Sequence, residues 1–298
     1  MKILYCHWLD EITSLYGSKY YKTLPHVKYF IDKNYSVDFC CGNKLTTNQW
    51  KKLITSYDIC IVYNGSREEI INCRFACEQL SKKTLYFESG FLPQDETVQI
   101  DPQGIIGKSS LCKDISWVSQ TDINEFKYFQ KEYVKDYIIS PQDYILIPTQ
   151  MEWDCSIKLH SPFLKMTDFI KHCEEKFENE KIIYKIHPRD FKNYKKYKKL
   201  SKNKFVMDIN LSYKESNDAF MKLASKAKLV YGINSTSLYQ SLILGVPTIS
   251  IGEGIILSNK IDNKSTEEQI TKVLTAVYKS QYFYKNGNVE EIMNRILI

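Results

Sequence analysis

Short apolar runs, separated by stretches long enough for a helix, constrain this chain more than any other feature. In the first half they are Lys2 to Tyr5, Ser36 to Cys41, Ile59 to Tyr63 and Thr84 to Glu88; in the second, Tyr144 to Pro148, Lys181 to Ile186, Phe205 to Asp208, Leu229 to Ile233 and Thr248 to Ile251. Strands alternating with helices imply parallel sheets with crossover helices. Asp168 to Phe177 reads as one such helix and Ser216 to Ala227 as another, with Ser216 as its N-cap. The expected fold is therefore α/β, with two Rossmann-like lobes and a central cleft. The length, 298 residues, suits two domains of ~150 residues. A polar, helix-compatible stretch before Pro141 sets the expected boundary, giving domains 1–140 and 141–275. Residues 276–298 are expected to carry a last helix that packs back on the first domain. The tail from Thr266 reads as two helices broken at Asn286-Gly287-Asn288.

Composition narrows the class. Hydrophobic residues make up 43% and charged residues 26%, a globular balance that supports a buried core without staples. The nine cysteines include no CxxC pair, so neither a zinc site nor a disulfide framework is indicated, and reduced thiols in a cytoplasmic protein are expected. The opening MKILYCHWLDEITS reaches Asp10 and Glu11 too soon for a signal peptide, and no run of ~18 apolar residues announces a membrane span. The net charge of +6 owes much to the lysines that follow Arg189. As a functional feature this run would associate peripherally with an anionic membrane surface; the plainer reading is the solvated face of a helix. No nucleic-acid motif accompanies it, and a nucleic-acid partner is not expected.

In open parallel sheets ligands bind beyond the carboxyl ends of the strands. The richest such end is VYGINSTSLYQSLILGVPTISIG, where Asn234, Ser235, Thr236 and Ser237 fill the turn between a buried strand and a helix. Free N–H groups and the positive end of the helix dipole suit an anion there, with hydroxyls as further donors. An ordinary capped helix start would look the same. In KIHPRD, strand alternation puts Lys185 and His187 on one side, both able to bind phosphate oxygens, and Pro188 turns the chain. Glu88 leaves an apolar strand for a Gly/Pro loop, and Asp154 follows the first strand of the second half. Two carboxylates facing each other across a cleft are what glycosyl chemistry uses, although each alone is weak evidence.

The stretches ESGFLPQDETVQIDPQGI, PTQMEWDCSIKLHSPF, KIHP and NSTSLYQSLILGVPTISIG, in this order, resemble the capsule polysaccharide biosynthesis family of bacterial transferases that move 3-deoxy-manno-octulosonic acid (Kdo) from its CMP-activated form. The resemblance implies a GT-B fold, an acceptor-side first domain and a nucleotide-sugar second domain. It further implies a CMP-linked acidic sugar as donor substrate, no cofactor and no metal. Asp154 matches the family's proposed nucleophile in a retaining reaction, and Glu88 is the candidate for proton transfer from the acceptor. His187 with Ser235 and Thr236 would hold the CMP phosphate, with Gln150 and Lys185 near the donor. Lys108 is a further candidate for the sugar carboxylate, and Asp101 reads better as a loop-shaping residue.

A single phosphate suits one histidine and one helix N-terminus better than a long glycine-rich diphosphate loop would. The expected activity is transfer of Kdo to a glycan or glycolipid acceptor in capsule or lipopolysaccharide synthesis, in the cytoplasm at the inner membrane face. A transferase for a sialic-acid-like CMP-nonulosonate, a glycerol-phosphate transferase and a catalytically silent nucleotide-sugar binding subunit stand as alternatives.

Overall fold

A computed structural model describes all residues except 8–21, 23, 43, 209, 285, 286, 288 and 298. The chain divides into two compact units, 1–110 with 278–298, and 111–277. The division differs from the expected boundary at 140 because the segment after residue 110 bonds to the second unit. Asn259 donates to the Leu111 carbonyl at 2.9 Å, Gln130 to that of Ile243 at 2.8 Å, and Tyr137 to Asp218 at 3.1 Å.

The first unit holds a sheet ordered β11 (Gln281–Phe283), β5 (Thr97–Asp101), β4, β3, β1, β2. Its parallel part comprises β1 (Lys2–His7), β2 (Ser36–Cys41), β3 (Ile59–Tyr63) and β4 (Lys83–Ser89). Period-two alternation sorts these strands into two apolar layers. Ile3, Tyr5, Ile59, Ile61, Leu85 and Phe87 join one core, while Leu4, Cys6, Cys60, Val62 and Tyr86 join the other. The second core also takes Cys73 and Cys77 from the helix Ile71–Gln79. All nine cysteines are free, and these buried thiols act as small apolar residues.

Two antiparallel strands extend this sheet, and the alternation pattern contains neither. β5 (Thr97–Asp101) pairs with β4, and β11 (Gln281–Phe283) pairs with β5. The tail is thus a helix (Glu267–Lys279), a strand, and a final helix (Glu290–Leu297) whose Ile292 and Met293 lie in the first unit's core. Of the expected break, Asn286 and Asn288 lie outside the described residues, as does most of the segment after His7.

The second unit is parallel throughout, ordered β10-β9-β6-β7-β8. Its strands are β6 (Gln142–Pro148), β7 (Ile182–Lys185), β8 (Lys204–Val206), β9 (Ala227–Gly232) and β10 (Thr248–Ser250). Strand order reverses between β6 and β9, and in the first unit between β1 and β3. Such switch points leave a crevice at the carboxyl ends of the strands. The helix expected from Ser216 begins earlier, at Tyr213. Ser212 caps it in a reciprocal box with Glu215, and Ser216 lies inside the helix with its hydroxyl on Asp208. No helix among the described residues is long and apolar enough to cross a membrane.

Candidate functional site

At the second unit's switch point, Gln150 follows β6 and Asn234 follows β9. Gln150 Nε2 donates to Asn234 Oδ1 at 3.0 Å and to Ser156 Oγ at 3.2 Å, while its Oε1 accepts the Asn234 backbone N–H at 3.2 Å. Asn234 Nδ2 lies within hydrogen-bond reach of the carbonyls of Ser156, His160 and Glu253, at 3.0, 3.2 and 3.3 Å. Gly252 is required beside it. A Cβ there would meet Ile233 at 2.6 Å and the His160 carbonyl at 2.9 Å. Gln150 and Asn234 thereby lock three loops together at these strand ends.

What they frame is the start of the helix Thr236–Ile243. Ser235 is its N-cap, its hydroxyl accepting the Ser237 N–H at 3.2 Å. The N–H groups of Ser235 and Thr236 have no partner among the described residues, and residues 234–237 are all partly exposed. Free donors at the positive end of a helix make an anion site.

Asp154 caps the short helix Cys155–His160, Oδ1 accepting the Ser156 N–H at 2.8 Å. Ser156 thus links Asp154 to Gln150. His187 is tied to the end of β6 by its N–H, which donates to Thr149 Oγ1 at 3.1 Å. Its Nδ1 accepts the Arg189 N–H at 3.2 Å, so the neutral ring carries its proton on Nε2 and presents a donor. Burial, then the Arg189 charge, holds this imidazole below its usual range, while Asp154 and Asp190 pull the other way. Asp154 is thereby within electrostatic reach of His187.

Lys185 behaves otherwise. It is only 4% exposed, and its ammonium pairs with Asp208, which also takes the Ser216 hydroxyl. The alternation that sets it opposite the apolar core directs it into this buried pair. The lysines at 192, 195, 196, 198 and 199 are exposed around buried Tyr197, whose hydroxyl donates to Asp190 at 2.6 Å.

In the first unit Glu88 ends β4 half-buried, with both carboxylate oxygens engaged. Oε1 accepts from Tyr63 Oη at 3.0 Å and from the Ser89 N–H at 2.9 Å, and Oε2 accepts from Asn64 Nδ2. Tyr63 and Asn64 escaped the sequence reading, although Asn64-Gly65 directly after a strand is a turn signal at a strand end. His7 closes β1 beside them, its ring stacked on Tyr63 at 4.6 Å. Asp101 is a loop shaper. Its two oxygens collect the N–H groups of Gln103, Gly104 and Ser110 and the hydroxyls of Ser109 and Ser110, at 2.7 to 3.0 Å. Lys108 is exposed on a 3-10 turn. Among the described residues no group of three or more His, Cys, Asp or Glu is placed to hold a metal ion.

Residues 127–259 match the family model described as capsule polysaccharide biosynthesis protein. The resemblance to the capsule polysaccharide biosynthesis family holds. The capsule-family segment contains Gln150, Asp154, Lys185, His187 and the 234–237 turn, and it excludes Glu88. Two solved structures from Thermosulfurimonas dismutans KpsC share the fold. Its beta Kdo 2,7 transferase is 15% identical, with 98% of each chain covered and a TM-score of 0.66. Its beta Kdo 2,4 transferase is 16% identical, covering 95% of this chain and 96% of that one, with a TM-score of 0.64. The fold is GT-B, with two Rossmann-like units. FixF of Sinorhizobium fredii is 26% identical over 223 residues, 68% of this chain and 51% of that protein. The chain thus spans about half the length of this relative.

Proposed function

We propose that the chain is a glycosyltransferase moving Kdo, or a related 2-keto acid sugar, from a CMP-activated donor to a glycan or glycolipid acceptor in capsule or lipopolysaccharide synthesis. The observation that carries this reading is the second unit's switch point. There a helix N-terminus with free N–H groups lies in the capsule-family segment that also supplies an Nε2–H donor from His187. A single phosphate asks for this much and no more. The neutral imidazole and backbone donors stabilise the leaving phosphate without a metal.

The reaction proceeds with retention. An Asp154 carboxylate oxygen attacks the anomeric carbon as the bond to phosphate breaks, its electron pair leaving with CMP. The acceptor hydroxyl oxygen then bonds to that carbon, the bond to Asp154 breaks and restores the carboxylate, and the hydroxyl proton passes to Glu88. Work at the inner face of the cytoplasmic membrane fits the exposed lysines beyond Arg189.

The test is CMP release from CMP-Kdo and from a CMP-sialic acid, with and without a lipid-linked glycan. Acceptor-dependent release from CMP-Kdo is expected. Release only from the sialic acid donor would move the assignment to another nonulosonate, and release from neither would overturn it.

A further inference from the structure

We propose that Tyr63 and Asn64 are positioning residues that orient the Glu88 carboxylate and hold it ready to take a proton. The inference rests on the reading of Glu88 as the proton-transfer group.

The turn after β3 is built for one amide orientation. Asn64 sits in the left-handed region at φ +62°, followed by Gly65 at +72°, a conformation that asparagine and glycine adopt more readily than other residues. Its backbone N–H donates to the Phe87 carbonyl at 2.8 Å, pinning the turn to β4 one residue before Glu88. Its side-chain Oδ1 accepts the Ser66 N–H at 3.0 Å. With the oxygen so occupied, the amide can offer Glu88 only its nitrogen. Asn64 is 4% exposed, so water does not compete freely for this bond. A β-carbon at Gly65 would lie 2.6 Å from the Tyr86 ring, which keeps the turn close against the sheet.

Tyr63 supplies the second side-chain donor from the same strand end. Its ring is clamped between His7, at 4.6 Å and 21° between planes, and Phe87, at 5.1 Å and 59°. The phenol therefore reaches Oε1 from a fixed direction. The two residues address different oxygens of one carboxylate, so neither oxygen turns away. When the acceptor oxygen bonds to the sugar carbon, its O–H electron pair stays on oxygen and the proton moves to Glu88. A carboxylate held by donors is kept in the form that can accept it.

Two substitutions test this while sparing the packing. Tyr63→Phe keeps the stacked ring and removes one donor. Asn64→Asp tolerates the same backbone and still accepts the Ser66 N–H, but it exchanges the amide donor for a second carboxylate against Glu88. Like charge in contact should raise the Glu88 titration midpoint by about 1 unit or more. The midpoint is read by 13C NMR of glutamate-labelled protein, with Glu88→Gln assigning the resonance. The acidic limb of the pH profile for transfer should rise with it, while the donor KM stays within about twofold, because a group acting on the proton step alone leaves donor binding in place. Tyr63→Phe should move both midpoints the same way and less. If neither variant moves the NMR midpoint, or if it moves while the pH limb stays, the positioning role is overturned. Full transfer by Glu88→Gln would instead remove the proton-transfer reading, leaving the NMR result to stand on its own.

Discussion

The two units use their strand-end polar groups in opposite senses. In the second, Gln150 and Asn234 satisfy one another and the neighbouring carbonyls, and what remains unsatisfied is a set of donors at a helix start. In the first, the donors of Tyr63, Asn64 and Ser89 converge on one acceptor, Glu88. Spare donors suit an anion, and a held carboxylate suits a proton, as the proposed roles of the two strand ends require. The sheets differ accordingly. The anion side is a fully parallel doubly wound sheet, whereas the carboxylate side gains antiparallel strands that clamp the segment after Glu88 through Gln281. This side chain accepts from the Phe91 N–H at 2.8 Å and donates to the Leu92 carbonyl at 2.7 Å.

The contrast breaks first at Asp154. Asp154→Asn should lower transfer on the order of 10³-fold or more, the usual cost of losing a nucleophilic or triad carboxylate. Asparagine caps helices as well as aspartate, so thermal unfolding should stay within about 2 °C of the parent. A transfer assay paired with a melting curve checks both, and a surviving rate would return Asp154 to a purely capping role.

Asn234→Ala should act oppositely, through structure. It strands Gln150 and the carbonyls that Asn234 serves, and a buried polar group left without its partner costs about 1–3 kcal/mol. Urea unfolding should show that loss, together with weakened CMP binding. Intact stability would mean that the turn stands without its frame.

At neutral pH the smallest effect belongs to His26 in the first unit, which is buried, shares a hydrogen bond of 2.5 Å with the Tyr282 hydroxyl through Nδ1, and has been pushed down to about 3 by burial. The unfolded chain binds this proton near 6.5 and the folded one does not, so His26 leaves stability untouched above 6.5 and subtracts from it as pH falls from there toward 3. The slope is about 1.4 kcal/mol per pH unit at most. His26→Gln should flatten the acid limb of a plot of Tm against pH by that one-proton slope, and an unchanged limb would show that the ring takes up its proton in the folded state.

Most of the scaffold was legible because both units bury their central parallel strands on two faces, which writes continuous apolar runs. β5 and β11 escaped for a physical reason. β5 buries Thr97, Gln99 and Asp101 along with Val98 and Ile100, so it shows no apolar run, and β11 is three residues long. The helix cap at Ser212 was readable as Ser-x-x-Glu, whereas Ser216 lacks such a box. The strand-end rule pointed to Glu88, Asp154, His187 and the 234–237 turn, all of which lie at or just after strand ends or at helix starts. It passed over Asn64, since an Asn-Gly pair reads as a turn and its amide's partner is distant in sequence. The pairing of Lys185 with Asp208 was not legible either, because alternation gives the face of a side chain and says nothing about a waiting counter-charge.

β11 also sets an order of events during synthesis. The first unit takes its outermost strand from residues 281–283, so its sheet stays unfinished while the whole of 111–277 is being made. The second unit is one uninterrupted stretch and can close as soon as it leaves the ribosome, because domains fold as units in the order they emerge. A released chain truncated at residue 280 should therefore protect the second unit from protease while the first is still cut. Of the two units, the one begun earlier along the chain is the one completed later.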